Sequence, residues 1–377
     1  MIVSIAEFLI LGFIVEWAFR KLTIPGLVGL LFLGVVLGPF VLELATPELL
    51  RVSDELRLIA LVVILLRAGL ELSKETLNRV GGRVLLLATV PAVFEGAAIP
   101  ALGPWLLGLG ILESAILGAV LAAISPAVVV PLMIRFMERG MGAEKGIPTM
   151  ILAVAPINDV FVIVIFSVLV GMYTGTSVNI AWQLSSIPIS ILLGIAAGWG
   201  IGLGLYKIFQ RFNLRATKRV LVLLGISILL VRAEHLLQPW VPFAALLAVV
   251  TVGFYLLKKD EHMAHRLSAK LAKVWILAEI ILFTLIGAQV NIDVTLQSGL
   301  TGAVLFGLGA AIIYLVMVLG TLRYLTDLAL VLPFDLRPTG YSQVDAAVLL
   351  EALGEAGRQF YLTRQIPLDT LYPALLA

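Results

Sequence analysis

No cysteine occurs in the 377 residues, which excludes disulfides, thiolate metal sites and cysteine nucleophiles. Charge is scarce as well: Asp, Glu, Lys and Arg together make 13% of the chain, against about 25% in soluble domains. With 61% hydrophobic residues and a mean hydropathy of +1.09, the composition is that of an all-α polytopic membrane protein. Net charge is only +2. The basic residues fall in short connections and form no stripe or tail, so nucleic acid is excluded as a partner and membrane lipid takes that place. The three histidines, His235, His262 and His265, read as loop residues. No Ser/His pair, His-Glu helix motif or Asp pair lies within an apolar run, so the sequence offers an intramembrane enzyme no machinery and implies no cofactor.

Apolar runs of about 20 residues, long enough to cross a bilayer, recur near 3–19, 24–44, 56–73, 84–103, 111–133, 148–173, 183–209, 218–232, 241–257, 272–290 and 299–322. The run at 218–232 is short, and the segment after 333 is amphipathic. The first run opens "MIVSIAEFLILGF", with Glu7 in place of a basic leader and no small-residue cleavage site, so it reads as a retained helix. Lysines and arginines cluster after the first, third, fifth, seventh and ninth runs, for example Arg20 and Lys21, Arg135 and Arg139, and Lys258 and Lys259. The other connections hold chiefly Arg51, Arg57 and Arg232. The positive-inside rule then places the odd-numbered loops in the cytoplasm and the N-terminus outside. The membrane is a plasma membrane or a bacterial inner membrane in this reading.

The sixth run, "MILAVAPINDVFVIVIF", is apolar nearly throughout, yet carries Asn158 and Asp159 at its centre. An Asp at mid-membrane costs about 2.5–3.5 kcal/mol on insertion scales, and such residues mark ion or proton sites by default. A packing contact to a neighbouring helix is the plainer alternative. The run before it, "GAVLAAISPAVVVPLMI", bears on that choice. Pro126 and Pro131 each lack an N–H, which frees the carbonyls of Ala122 and Ala127 beside the Ser125 hydroxyl. A kink serving only packing would explain one proline. Two prolines five residues apart, next to a helix with a buried carboxylate, favour a broken helix whose exposed backbone lines an ion site. Glu95, in mid-span, is a further buried charge, and so is Arg323 toward the end of the last run. Arg67 and Glu71, near a helix end, can reach the interface by snorkelling.

The stretch 118–166, "GAVLAAISPAVVVPLMIRFMERGMGAEKGIPTMILAVAPINDVFVIVIF", resembles the core of the monovalent cation:proton antiporter superfamily, and in particular its NHA branch of sodium/proton exchangers. "LTIPGLVGLLFLGVVLGP", "LLRAGLEL" at 65–72 and "VPAVFEG" at 90–96 support the resemblance, which covers roughly residues 5 to 330. It implies an inverted-repeat antiporter fold with discontinuous helices, about 11–13 transmembrane helices in all. It further implies one transmembrane antiporter domain: an extra N-terminal helix over 1–22, a first repeat over 23–175, and a second over 183–377. A mobile core would move against a dimerising scaffold by alternating access, giving a homodimer that exchanges Na⁺, or Li⁺ or K⁺, for H⁺.

In that resemblance Asp159, with Asn158 and Ser125, holds the cation or proton, and the broken-helix backbone at Ala122, Pro126, Ala127 and Pro131 supports it. Asn-Asp in place of Asp-Asp implies electroneutral exchange, and Glu95 pairs with Arg323. No metal beyond the transported monovalent cation at Asp159 is implied. The physics stands without the family. Removing a carboxylate from water disfavours its charged form and a nearby cation favours it, so proton and cation compete for one group.

The resemblance weakens toward the C-terminus. The family carries a second broken helix with a Lys-Ala-Thr-Val-Gln-Ala-Ala pattern, whereas here Tyr341 stands in place of the Lys and Asp345 in place of the Gln. Only Val344, Ala346 and Ala347 match, and the sequence after 360 is too short and polar to cross. The second repeat is therefore expected to be atypical or incomplete after about residue 335. A non-transporting antiporter remnant is the main alternative function. A cation channel would share the buried acid and broken helix but lacks filter-like carbonyl repeats or charge rings.

Overall fold

The computed structural model describes residues 2–22, 25–73, 75, 83–138, 146–175, 179–212, 214–237, 240–297, 299, 348–349 and 351–360. Among them the chain is helical, without a strand. In chain order the helices are α1 Ile2–Lys21, α2 Gly26–Leu37, α3 Pro47–Arg51, α4 Ser53–Glu71, α5 Arg83–Leu106, α6 Ile111–Leu121, α7 Pro126–Glu138, α8 Ile147–Tyr173, α9 Ile180–Arg211, α10 Ala216–Leu237, α11 Ala245–Lys259, α12 Glu261–Ala288 and α13 Gly354–Phe360. Seven spans among the described residues are long and apolar enough to cross a bilayer, counting α6 and α7 as one interrupted span from Ile111 to Glu138. The protein is a multi-pass integral membrane protein.

Local chemistry sets several boundaries. α8 starts where Gly146 adopts φ 69°, a left-handed conformation that a side chain resists, and Pro148 occupies the first turn, where its missing N–H costs nothing. α12 starts at Asp260, whose carboxylate accepts the Met263 N–H at 2.9 Å. This cap lies well before the apolar run expected from 272, so His262 and His265 sit on the first turns of α12 and not in a loop. His235 likewise lies in the last turn of α10, which extends the short 218–232 run to 22 residues. Its added C-terminal end carries Glu234 and His235, polar groups that a helix can present at an interface. α2 stops at Leu37, short of the expected 44, because Gly38 is extended ahead of Pro39. The run at 299–322 and Arg323 lie outside the described residues, apart from Gly299.

The chain divides into two compact units, residues 1–89 with 123–297 and residues 90–122 with 298–377. In the first unit α4 and α11 are interior helices: α4 buries every residue but one from Val62 to Leu70, and α11 buries nearly all of Ala245–Leu256. They pack against each other and against α12, with α7 also on α4 and α9 also on α11, while α2 packs on α12. Glycine lets these backbones approach. A Cβ at Gly253 would lie 2.9 Å from the Leu66 carbonyl oxygen, and one at Gly198 would lie 2.5 Å from that of Ala248. Gly34 and Gly287 bring α2 against α12 in the same way. Small residues serve membrane helices because lipid gives apolar surface no reason to leave it, so close van der Waals packing carries the association. In the second unit Gly96 and Gly118 bring α5 against α6, where a Cβ at Gly118 would stand 2.7 Å from the Gly96 carbonyl oxygen.

Gly253→Ala is expected to destabilise the protein by roughly 1–3 kcal/mol, the usual cost of overpacking. Gly200→Ala, whose added Cβ meets nothing within 4 Å, should not. Paired thermal melts in one detergent distinguish the two. Equal melting temperatures would contradict the packing role.

Candidate functional site

The span from Ile111 to Glu138 is broken. α6 ends at Leu121, residues 122–125 are non-helical, and α7 begins at Pro126. Ala122 closes the first half, its N–H donating to the Gly118 carbonyl at 3.0 Å. Ser125 opens the second half. Its carbonyl accepts from Val128 and Val129 at 3.2 and 3.1 Å, and Pro126 fills the first helical position, where a donor is dispensable. Two residues expected to kink a helix thus have different effects: Pro126 starts one, while Pro131 lies inside α7 and leaves the Ala127 carbonyl without its usual donor. Ala127, Pro126 and Pro131 are buried, and Ser125 is exposed.

Asn158 and Asp159 lie at the middle of α8, a 27-residue helix and so roughly 40 Å long. Residues 152–158 are buried on every face. Asn158 is 1% exposed and reaches two other segments. Its Oδ1 accepts the Ile124 N–H at 2.8 Å, and its Nδ2 donates to the Ala88 carbonyl at 3.0 Å. One side chain therefore ties α8 both to the non-helical break and to the first turns of α5. Both bonds are buried or partly so, where an unpaired amide would cost about 1–3 kcal/mol.

Asp159 differs from its neighbour. It is partly accessible, and among the described residues no hydrogen-bond donor or cation pairs with its carboxylate. A carboxylate at the midpoint of an apolar helix, beside an amide fully occupied in holding the break, is free to take a proton or a cation. No cluster of three or more His, Asp or Glu side chains gathers as a metal site among the described residues.

The remaining expected positions fare unevenly. Glu95 lies within α5, partly buried and without a described partner, while its expected partner Arg323 lies outside the described residues. Arg67 does not reach for the interface: its side chain is 13% exposed and its Nη2 lies 3.3 Å from Glu138 Oε1 at the end of α7. Glu71 turns to α12, accepting from the Ser268 hydroxyl at 2.5 Å and standing 3.6 Å from His265 Nδ1. Sequence reading passed over Pro156, three residues before Asp159, which leaves the Leu152 carbonyl without a donor inside the same helix. It also passed over Glu279 in α12, whose electrostatic neighbours are Glu16, Arg135 and Arg20. The intramembrane-charge rule that singled out Glu95 applies equally to Glu279.

The model of the family described as sodium/hydrogen exchanger, transmembrane, matches residues 8–350. The chain belongs to the sodium/hydrogen exchanger family. Sodium/hydrogen exchanger 9B2 of Mus musculus is 31% identical over 292 residues, 77% of this chain and 53% of that protein. The Homo sapiens protein of the same name is 32% identical over 241 residues, 64% of this chain and 44% of that one. The chain thus spans about half the length of the curated relatives it matches. Among solved structures, the sodium proton antiporter MjNhaP1 from Methanocaldococcus jannaschii at pH 8 superposes with a TM-score of 0.66 at 20% identity, covering 99% of this chain and 92% of that one. That likeness establishes the antiporter fold for this exchanger-family chain.

Asn158→Ala should remove both ties and lower stability by about 2 kcal/mol, with the Ile124 amide losing hydrogen-exchange protection. Thermal melting with exchange mass spectrometry of peptides covering 118–130 checks this. An unchanged Ile124 amide would show that the amide does not hold the break.

Proposed function

We propose that this chain is a secondary active transporter that exchanges Na⁺, or Li⁺ or K⁺, for H⁺ by alternating access, with Asp159 as the exchangeable carboxylate. The observation that carries the reading is the tie from Asn158 to the Ile124 amide. It fixes a broken helix against the helix that bears, at mid-span, a partly accessible carboxylate without a described partner. Ser125 and the Ala127 carbonyl, which Pro131 leaves without its helical donor, supply neutral oxygens, which a partly dehydrated monovalent cation needs. The names of the relatives and of the solved neighbour support the same chemistry.

Coupling needs one group. Either H⁺ or the cation neutralises Asp159, and the neutral form crosses far more easily than the empty charged form, since charge at mid-membrane is costly. Asn158 adds no second proton, its amide being engaged on both sides in holding backbone, and this supports electroneutral exchange of one H⁺ for one cation. The Glu95–Arg323 pair belongs to the same proposal as mutual compensation of two intramembrane charges. An extra N-terminal helix over 1–22 followed by two inverted repeats, assembly as a homodimer, a cytoplasmic side at the basic loops, and placement in a plasma or bacterial inner membrane complete it.

In proteoliposomes with an acid interior, external Na⁺ or K⁺ should alkalinise the lumen for the unmodified chain, and Asp159→Asn should abolish the signal. Undiminished exchange in that variant would contradict the assignment.

A further inference from the structure

Away from the Asp159 region, where α10 begins and α12 passes it, a cavity of about 200 Å³ is bounded by Arg215, Arg219 and Arg266 over Leu214, Met263 and Leu267. One water occupies roughly 30 Å³ of liquid, so the space holds a tetrahedral anion with water to spare. No carboxylate lines it, and among the described residues none of the three guanidinium groups takes part in an ion pair. Arg215 and Arg266 are exposed and Arg219 is partly buried, so the space opens to solvent, and the three like charges around it favour an anion among them.

Arg219 is held in place for such a role. Its Nη2 donates to the Phe209 carbonyl at 3.1 Å, its guanidinium lies 5.4 Å from the Phe209 ring centroid, and its Nε is buried without a described partner. A fixed, planar guanidinium recognises phosphate better than a mobile charge does. The cavity also meets the N-terminus of α10, a helix of 22 residues. The Arg215 carbonyl accepts the Arg219 N–H at 3.1 Å, so the N–H groups of Ala216, Thr217 and Lys218 have no intrahelical acceptor, and no described side chain caps them. Exposed Phe212 and Leu221 flank this region in the chain, at 55% and 64% exposure. Apolar groups exposed beside arginines at a helix end match the depth at which headgroups meet acyl chains.

We propose that Arg215, Arg219 and Arg266 form a phosphate-binding site, filled by an anionic phospholipid headgroup or by free phosphate. The site is independent of the transport reading and its test does not use transport. The full chain in detergent is titrated with inorganic phosphate against chloride at constant ionic strength. Separately it is titrated with dioleoylphosphatidylglycerol against dioleoylphosphatidylcholine in mixed micelles. Thermal shift and native mass spectrometry are the readouts. Arg215→Ala/Arg266→Ala should weaken binding roughly tenfold or more, because both residues supply charge to the anion, with Arg266→Gln alone intermediate. Lys207→Ala/Arg211→Ala, exposed basic residues outside the cavity, should bind as the unmodified chain does. Arginine-dependent stabilisation by inorganic phosphate identifies a free-anion site, and stabilisation by phosphatidylglycerol alone identifies a lipid site. Absence of both, or an equal loss in the control pair, would overturn the proposal.

Discussion

The tie made by Asn158 is the constraint on which the candidate site depends. A break of four residues inside a membrane span exposes backbone groups that lipid cannot satisfy, so it persists only where protein supplies partners. Asn158 meets the Ile124 N–H with one end of its amide and the Ala88 carbonyl with the other. That choice of residue determines the character of Asp159 as well. A carboxylate at 158 could not donate to Ala88 without a proton, whereas an amide does both tasks at any pH. The ionisable group one position on has no described partner and is left for chemistry.

Around that tie the first unit is built from close backbone contacts. α4 and α11 are buried on most faces, and glycines allow approach where Gly253 of α11 meets Leu66 of α4 and where Gly198 of α9 meets Ala248 of α11. Packing of this kind is stiff, since no long side chain lies between the helices to yield. Polar groups of α4 are correspondingly tied down, Arg67 to Glu138 and Glu71 to Ser268, instead of reaching for water.

Much of this was legible in the sequence because membrane spans obey simple rules of length and hydropathy, and every expected run within the described residues contains a helix. The break was legible too: Ser-Pro within an apolar span removes a donor at a known place, and Asp159 stood out against Ile, Val and Phe. What stayed hidden depends on tertiary contact. The occupants of the Asn158 amide, Ile124 and Ala88, lie 34 and 70 residues away in the chain. Helix ends were misplaced where polar residues continue a helix beyond its apolar run, as Asp260 does by capping α12 and drawing His262 and His265 onto it. The pairing of Arg67 with Glu138, 71 residues apart, had no local signal, whereas Glu279 had one that went unused.

The central claim is that a proton and a monovalent cation compete for Asp159. The most direct measurement is Na⁺ binding to the detergent-solubilised chain as a function of pH, by calorimetry in buffers of differing protonation enthalpy. Competition at one carboxylate predicts one proton released per Na⁺ bound at low pH, an apparent affinity that falls about tenfold per pH unit there, and loss of both in Asp159→Asn. Na⁺ affinity independent of pH, or binding that survives the substitution, would contradict the account.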